Sequence, residues 1–582
     1  MTSQATIRIG NASGFYGDRP AAFRELLEAG DADVITGDYL AELTMLILAR
    51  DKAKDPSLGY ARTFAAQFAD CTALAAERGV RLVVNAGGLN PAGLAARLRE
   101  LDPSRAIAYV DGDDLTHRAA ELGLGEPLAA SAYLGGFGIA ECLRHGADVV
   151  VTGRVTDASL VVGAAAAHFG WSPGDLDALA GAMAAGHVIE CGTQATGGNY
   201  AFFRTIGDLR HPGFPIAEIG ADGSSVITKA PGTGGAVTTG TVTAQLLYEV
   251  TGARYAGPDA VLRLDSVRLT QDGQDRVRIT GVRGEPPPDT LKVGISALGG
   301  YRNEVTFVLT GLDIEAKAEL VRRQLPGDLT WTLARTDHPD AGTTEAASAL
   351  LHCVARGKDS DAVGRRFADA AVHLALGSYP GFHLTAPPGA AAPYGVFRAA
   401  TVPAATVPHR AVLPDGSQLP IPCSPLAVPA AQALAAVPEP PLPSSERLGA
   451  TRRVPLGVLI GARSGDKGGD ANLGVWVAED RAWPWLAGFL TVDMVRTLLP
   501  ETADLELDRH LLPNLRAVNI VVHGLLGEGV AYRARFDPQA KALGELLRGR
   551  LADVPAELLS PAELLSPAEP PTQAEPTAAG PG

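Results

Sequence analysis

Between residue 5 and about 200 the chain alternates short, uniformly apolar runs with amphipathic stretches: ATIRIG then PAAFRELLEAG, ADVITG then a long helical region, VRLVVNAGG then PAGLAARLREL, ADVVVTGRV then DASLVVGAAAAHFG. Strands alternating with helices predict βαβ units, and strands without polar alternation suit a mostly parallel sheet covered on both faces. From about 200 to 385 the pattern turns mixed. SSVITKAPGTGGAVTTGTVTAQLLYEV reads as strand, glycine loop and helix, VRLTQDGQDRVRITGV as a hairpin, and EVTFVLTGL as a strand leading into the helix DIEAKAELVRRQL. The predicted fold class is α/β, with a mostly parallel N-terminal sheet, a mixed α+β second half and a small C-terminal α+β domain of ferredoxin-like type. The expected divisions are 5–385 for the first domain with a change of pattern near 200, 386–450 for an extended Pro- and Ala-rich connector, 451–553 for the second domain, and 554–582 for a disordered tail.

Composition narrows the function classes. At 582 residues and 46% hydrophobic, the chain can bury a sizeable core. A net charge of −15 argues against nucleic acid or anionic membrane as a general partner, so an anionic ligand must meet a local positive site. Five scattered cysteines without a CxxC pair point to neither a disulfide framework nor a thiolate zinc site. The first residues show no charged-then-apolar signal pattern, and the apolar helical stretches are too short to span a bilayer, so a cytoplasmic location is expected.

Each predicted strand of the first half ends in the same chemical vocabulary: Asn11 and Ser13, Asp38, Asn85, the aspartates Asp111, Asp113 and Asp114, and Arg154 with Asp157. In open α/β sheets ligands bind beyond the carboxyl ends of the strands, so these loops should share one rim. Arg154 offers a guanidinium fork for a carboxylate or thioester oxygen, while Asp157 pairs with it or caps the helix starting at Ala158. Asp113, among like charges, is a proton carrier, a helix cap or part of a divalent cation (Mg²⁺) site. Glu190, in VIECGTQATGGN, is the candidate general base; the neighbouring Cys191 reads as an inert buried thiol. Lys229, Gly234 and Gly235 in KAPGTGGAV have the composition of a phosphate-cradling loop or of a tight turn.

One late stretch, RSGDKGGDANLG, carries more charge than a turn requires. A two-residue hairpin needs its glycines, not Arg463, Asp466, Lys467 and Asp470. Arg463 and Lys467 are expected to form the positive site for an anionic ligand, with Asp466 and Asp470 holding their side chains or the loop amides. The loop is expected to face a ligand or the first domain.

The motifs IGNASGFYGDRP, ADVITGDYLAELTM, NAGGLNP, DGDDL, VTGRVTDASL, ECGTQATGGNY and KAPGTGGAV together resemble the acyclic terpene utilisation protein A (AtuA) family over nearly residues 5 to 385. RSGDKGGDANLG looks like the signature of that family's C-terminal ferredoxin-fold domain. The resemblance implies catabolism of citronellol- and geraniol-type branched acids as coenzyme A thioesters, beside acyl-CoA carboxylases, dehydrogenases and hydratases. Two expectations stand open: a lyase or hydratase-type enzyme using enolate chemistry on an acyl-CoA, and a non-catalytic acyl-CoA-binding or scaffold subunit for a partner carboxylase. No cofactor is expected beyond a divalent cation and the coenzyme A of the substrate, and a homo-oligomer is expected.

Overall fold

A computed structural model describes residues 6–560 except 326, 444–448 and 533. Its largest sheet has eleven strands. Five of them, Thr6–Asn11, Val34–Gly37, Arg81–Val84, Val149–Thr152 and Ile107–Asp111, lie side by side in that order and parallel. The other six, Pro215–Gly220, Ser225–Lys229, Val277–Thr280 and Arg268–Gln271 on one side and Arg410–Val412 and Gln418–Pro420 on the other, join antiparallel. The sheet is therefore mixed rather than mostly parallel. The apolar runs read correctly as strands with both faces covered, but they form only its centre, because hairpin strands from the second half extend it by antiparallel pairing.

The alanine-rich helix Ser159–Phe169 is apolar all round and mostly buried, packed between the parallel strands and the helix Leu176–Ile189, which is itself almost wholly buried. Small side chains permit this. A Cβ on Gly163 would come within 2.6 Å of the Gly136 carbonyl oxygen, so the close helix contact depends on that glycine.

A second sheet is built around the 21-residue strand Thr290–Thr310. Its C-terminal half pairs with Ser348–Gly357, and its N-terminal half with Ala129–Ala132 and Ala392–Pro403. The segment 386–450, expected as an extended connector, thus supplies a 12-residue strand to this sheet and two edge strands to the first. Proline and alanine content misled here: Pro393 and Pro403 sit at the ends of the strand, where proline is tolerated.

In the C-terminal part, Ile460–Lys467, Asp470–Val477, Ala517–Val522 and Leu507–Leu512 form a four-stranded antiparallel sheet in that order. Period-two alternation gives it two buried faces. Ala471, Leu473, Val475, Val518 and Ile520 join Leu486, Val495 and Leu547 in the domain's own core, while Trp476 and Ala517 join the core of the first half. Leu551–Pro555 pairs with Thr451–Pro455 and Leu558 is buried, so the chain stays folded past 554, where a disordered tail was expected. Residues 561–582 of that tail lie outside the described residues. Among the described residues no helix is long and apolar enough to cross a membrane.

Candidate functional site

The ends of the parallel strands hold one another by buried hydrogen bonds. The Asn11 amide donates to the Ile189 and Glu190 carbonyl oxygens at 2.8 and 2.9 Å, tying the first strand to the end of the buried helix. Ser13 Oγ donates to the Asp38 carbonyl oxygen, and the Asn85 amide donates to Asp38 Oδ1 at 2.6 Å. Asn11, Ser13 and Asn85 therefore fix the neighbouring backbone and the Asp38 carboxyl. Burial first, and the Asp157 carboxylate second, push Asp38 well above the usual carboxylate range, against the pull of Arg154 and Asn85.

Arg154 is 5% exposed. Its Nη1 donates to the Leu40 carbonyl oxygen at 2.9 Å and lies 2.8 Å from Asp157 Oδ1, and its guanidinium stacks on Tyr133 at 4.2 Å. Burial opposes its charge, but Asp157, Tyr133 and Asp38 outweigh burial and hold it protonated. Asp157 caps no helix: the helix begins at Ser159 without a side-chain cap, and the carboxylate is used on Arg154 instead. Asp113 Oδ2 accepts the Arg154 backbone N–H at 2.7 Å, and burial pushes this carboxyl to about 7. Asp113 thus supports the Arg154 loop from below. The other aspartates turn away, Asp111 to Arg410 and Asp114 to Lys52, so DGDDL does not converge on a cation. Among the described residues no group of three or more His, Cys, Asp or Glu side chains is placed to hold a metal ion.

Glu190 lies at the end of the buried helix, with Oε1 3.0 Å from His187 Nδ1, one helical turn earlier. Burial, then Asp157 and Glu249, push Glu190 well above the usual range, while Lys467 and Arg154 work against them. Burial lowers His187 to about 4, so the ring is neutral and the pair shares a single proton. Glu190 Oε2 and His187 Nε2 have no hydrogen-bond partner among the described residues. Burial and Glu190 push the Cys191 thiol well above its ordinary range, away from the thiolate form.

The charged C-terminal loop arrives from the other domain. Ile460–Lys467 and Asp470–Val477 pair as a hairpin whose two-residue turn is Gly468–Gly469, with Gly468 at φ 67°. Arg463 stacks on Tyr248 at 4.3 Å and donates to Gln194 Oε1 and to the Asn199 carbonyl oxygen, so it docks the hairpin on the first domain. Lys467 Nζ stands 5.8 Å above the Tyr255 ring, which lies 4.8 Å from the His187 ring. Its charge is felt at Glu190, His187 and Glu42, and among the described residues it makes no hydrogen bond or ion pair. Burial, followed by Glu249, raises Asp466 to about 6, and burial raises Glu42 to about 7 against Lys292.

Other expected site residues are engaged elsewhere. Asp470 accepts the Gly524 N–H and pairs with His523, joining two strands rather than holding the loop cations. Lys229 donates to the Thr233 carbonyl oxygen and pairs with Asp275 at 3.3 Å. Gly234 and Gly235 fold the following loop against Pro212 and Thr196, where a Cβ on Gly235 would meet the Thr196 oxygen at 2.4 Å. The next helix, Thr239–Leu246, is closed by a capping box at Thr238, and the Val237 and Thr239 amides are taken by Asp275 and Gln271. The donors a phosphate would need are occupied, which leaves this loop a tight turn.

The site includes residues that sequence reasoning passed over: His187, Tyr133, Glu249, Tyr255 and Glu42. Only His187 carried a local signal, its i, i+3 spacing to Glu190 on a helix. Glu249 adopts φ 58°, left-handed for a non-glycine residue, with its N–H bonded to Asn472 Oδ1 of the C-terminal sheet at 2.8 Å. The void beside Arg154, Glu42, Tyr133 and Phe397 is only about 10 Å³.

Residues 7–413 match the model of the acyclic terpene utilisation family protein AtuA. The chain belongs to the AtuA family. Residues 454–551 match the AtuA ferredoxin-like domain, the part that carries the Lys467 hairpin. No curated protein matches the chain. Family membership attaches the protein to acyclic terpene utilisation and leaves the reaction to be argued from the cluster.

Proposed function

We propose that the protein performs acid–base chemistry beside the carbonyl of a branched carboxylic acid presented as its coenzyme A thioester, a lyase or hydratase-type reaction passing through an enolate. The observation that carries this reading is the pair of buried carboxyls Asp38 and Glu190, both held towards their protonated forms, with the charge of Lys467 from the other domain felt at Glu190. A carboxyl tuned towards neutrality suits a proton carrier at physiological pH. The ionised form of Glu190 takes the proton from the carbon next to the thioester and so returns to the protonated form that its burial favours. Arg154 and Lys467 supply positive charge for the oxygen on which the negative charge then develops. Asp38, protonated, is the donor for the returning step. Asp38 and Glu190 are buried, so substrate entry requires the elements around them to open, and binding is coupled to that motion.

The test is incubation of the protein with a panel of branched acyl-CoA thioesters in D₂O, read by mass spectrometry. Deuterium uptake at the carbon next to the carbonyl, slowed on the order of 100-fold or more by Glu190→Gln, is the expected result. Absence of both exchange and product across the panel overturns the enzyme reading. Tight binding of a thioester without exchange assigns the protein instead to a non-catalytic subunit that presents acyl-CoA to a carboxylase.

A further inference from the structure

A cavity apart from the carboxylate cluster shares no residue with it. It measures about 680 Å³ and lies between the start of the helix Phe137–Arg144, the Trp171 turn and the proline-rich strap 419–427. Its volume falls within the roughly 300–1,000 Å³ of small-molecule sites. Phe137, Trp171, Leu291, Val407, Leu419 and Ile421 make its walls apolar.

The charged groups around it are engaged with one another or with neighbouring backbone. Arg144 is spent on Glu141 at 2.7 Å and on the carbonyl oxygens of Ala166 and Trp171. Asp259 accepts the Gly136 N–H at 2.7 Å. His409 sits against Gly138, where a Cβ would lie 2.5 Å from its Nε2, and that nitrogen has no hydrogen-bond partner among the described residues. Burial lowers this histidine to about 4, so the ring is neutral and offers one donor and one acceptor.

We propose that this cavity is a second binding site, for an uncharged, mostly hydrocarbon molecule of medium length with a single hydrogen-bonding group that meets His409. A charged head group is disfavoured, because Glu141 and Arg144 already neutralise each other and an added charge would be desolvated without a partner. This separates the cavity from the carboxylate cluster, where an unpaired lysine suits an anionic oxygen. The strap supplies one wall and carries the exposed Cys423 at its edge, which provides a reporter.

The experiment titrates the full-length protein with 1-octanol, octanoate and octylammonium at pH 7.5 by calorimetry. It also follows alkylation of Cys423 by iodoacetamide with and without saturating 1-octanol. Expected are saturable one-site binding of 1-octanol, at least tenfold weaker binding of both ions, slower alkylation of Cys423, and at least tenfold weaker 1-octanol binding by Ala427→Trp, which fills the cavity from the strap. Wild-type protein that shows no saturable binding of 1-octanol overturns the proposal, whatever the variant does. Equal or tighter binding of either ion overturns the uncharged class. Unchanged binding by a folded Ala427→Trp places the alcohol elsewhere and overturns the site. Should that variant fail to fold, the wild-type selectivity and the Cys423 rate still decide.

Discussion

Arg154 illustrates how burial changes the meaning of a residue. From the sequence it reads as a guanidinium fork for a carboxylate or thioester oxygen; in the structure it is an almost fully buried cation serving Asp157, the Leu40 carbonyl and the Tyr133 ring. Arg154→Ala leaves Asp157 uncompensated, and breaking such a buried pair costs about 3–5 kcal/mol. Urea denaturation should register that loss together with any loss of exchange activity. Arg154→Lys is the informative variant: a lysine keeps the charge for Asp157 but loses the planar fork and its stacking geometry. We expect a stability loss of less than about 2 kcal/mol with at least a tenfold drop in thioester exchange. Exchange at the wild-type rate by Arg154→Lys would reduce Arg154 to a structural ion pair. The same scale shows why half of the cluster was legible. Asn11, Asp38, Asn85, Arg154 and Glu190 are polar residues directly after apolar runs, whereas Tyr133, Glu249 and Tyr255 become neighbours only through tertiary folding.

At the scale of elements, the hairpin Ile460–Lys467 and Asp470–Val477 answers to two constraints at once. Its glycines satisfy the turn and the close approach of the first domain, since a Cβ on Gly465 would meet Tyr248 at 2.3 Å and one on Gly474 would meet Leu247 at 2.5 Å. Its charges satisfy the cluster. Lys467→Ala should therefore leave unfolding within about 0.5 kcal/mol of wild type, as for substitutions that break no packing or pairing, while weakening thioester binding at least tenfold in calorimetry. Lys467→Arg should restore part of the binding through charge alone, and full binding by Lys467→Ala would remove the hairpin from the site. Docking depends on a different residue: Asn472 Oδ1 accepts the Glu249 N–H and its amide donates to the Val250 carbonyl oxygen at 3.0 Å. Asn472→Ala strands the Glu249 N–H, at about 1–3 kcal/mol, while the Val250 carbonyl keeps the bond from the Asn519 amide at 3.1 Å. Limited proteolysis should then cut between the two domains faster than in wild type. The glycine-and-charge pattern made the hairpin readable in the sequence. The long strand Ala392–Pro403 was not, because its prolines and alanines carry no apolar period and its pairing partner lies about a hundred residues earlier.

For the whole molecule, the buried carboxyls make stability depend on pH in a direction opposite to that of ordinary surface acids. Asp113 and Glu42 titrate near 7 in the folded protein and near the usual carboxylate value when unfolded. A raised folded pKa means that the native state binds more protons, so this contribution is fully present below the unfolded value and is lost as pH rises through about 7. Histidines act in the other sense. Histidines lowered to about 4, His187 and His409, withdraw stability as pH falls through about 6.5, and about 0.4 kcal/mol of that effect per histidine still lies between pH 6.5 and 8. From pH 6.5 to 8 each of these carboxyls contributes a fall of about 1 kcal/mol, which outweighs the opposing rise from the histidines, and comparing a carboxyl variant with wild type cancels the histidine contribution. Asp113 is the cleaner group to test, because its role is to accept the Arg154 backbone N–H and an amide oxygen can accept the same bond. We expect the unfolding free energy of the wild-type protein, measured with urea, to decline between pH 6.5 and 8, and Asp113→Asn to flatten that decline by about 1 kcal/mol while thioester exchange is retained. A variant with the full wild-type slope would mean that Asp113 is already ionised at neutral pH, and that the Arg154 loop rests on a charged carboxylate rather than a protonated one.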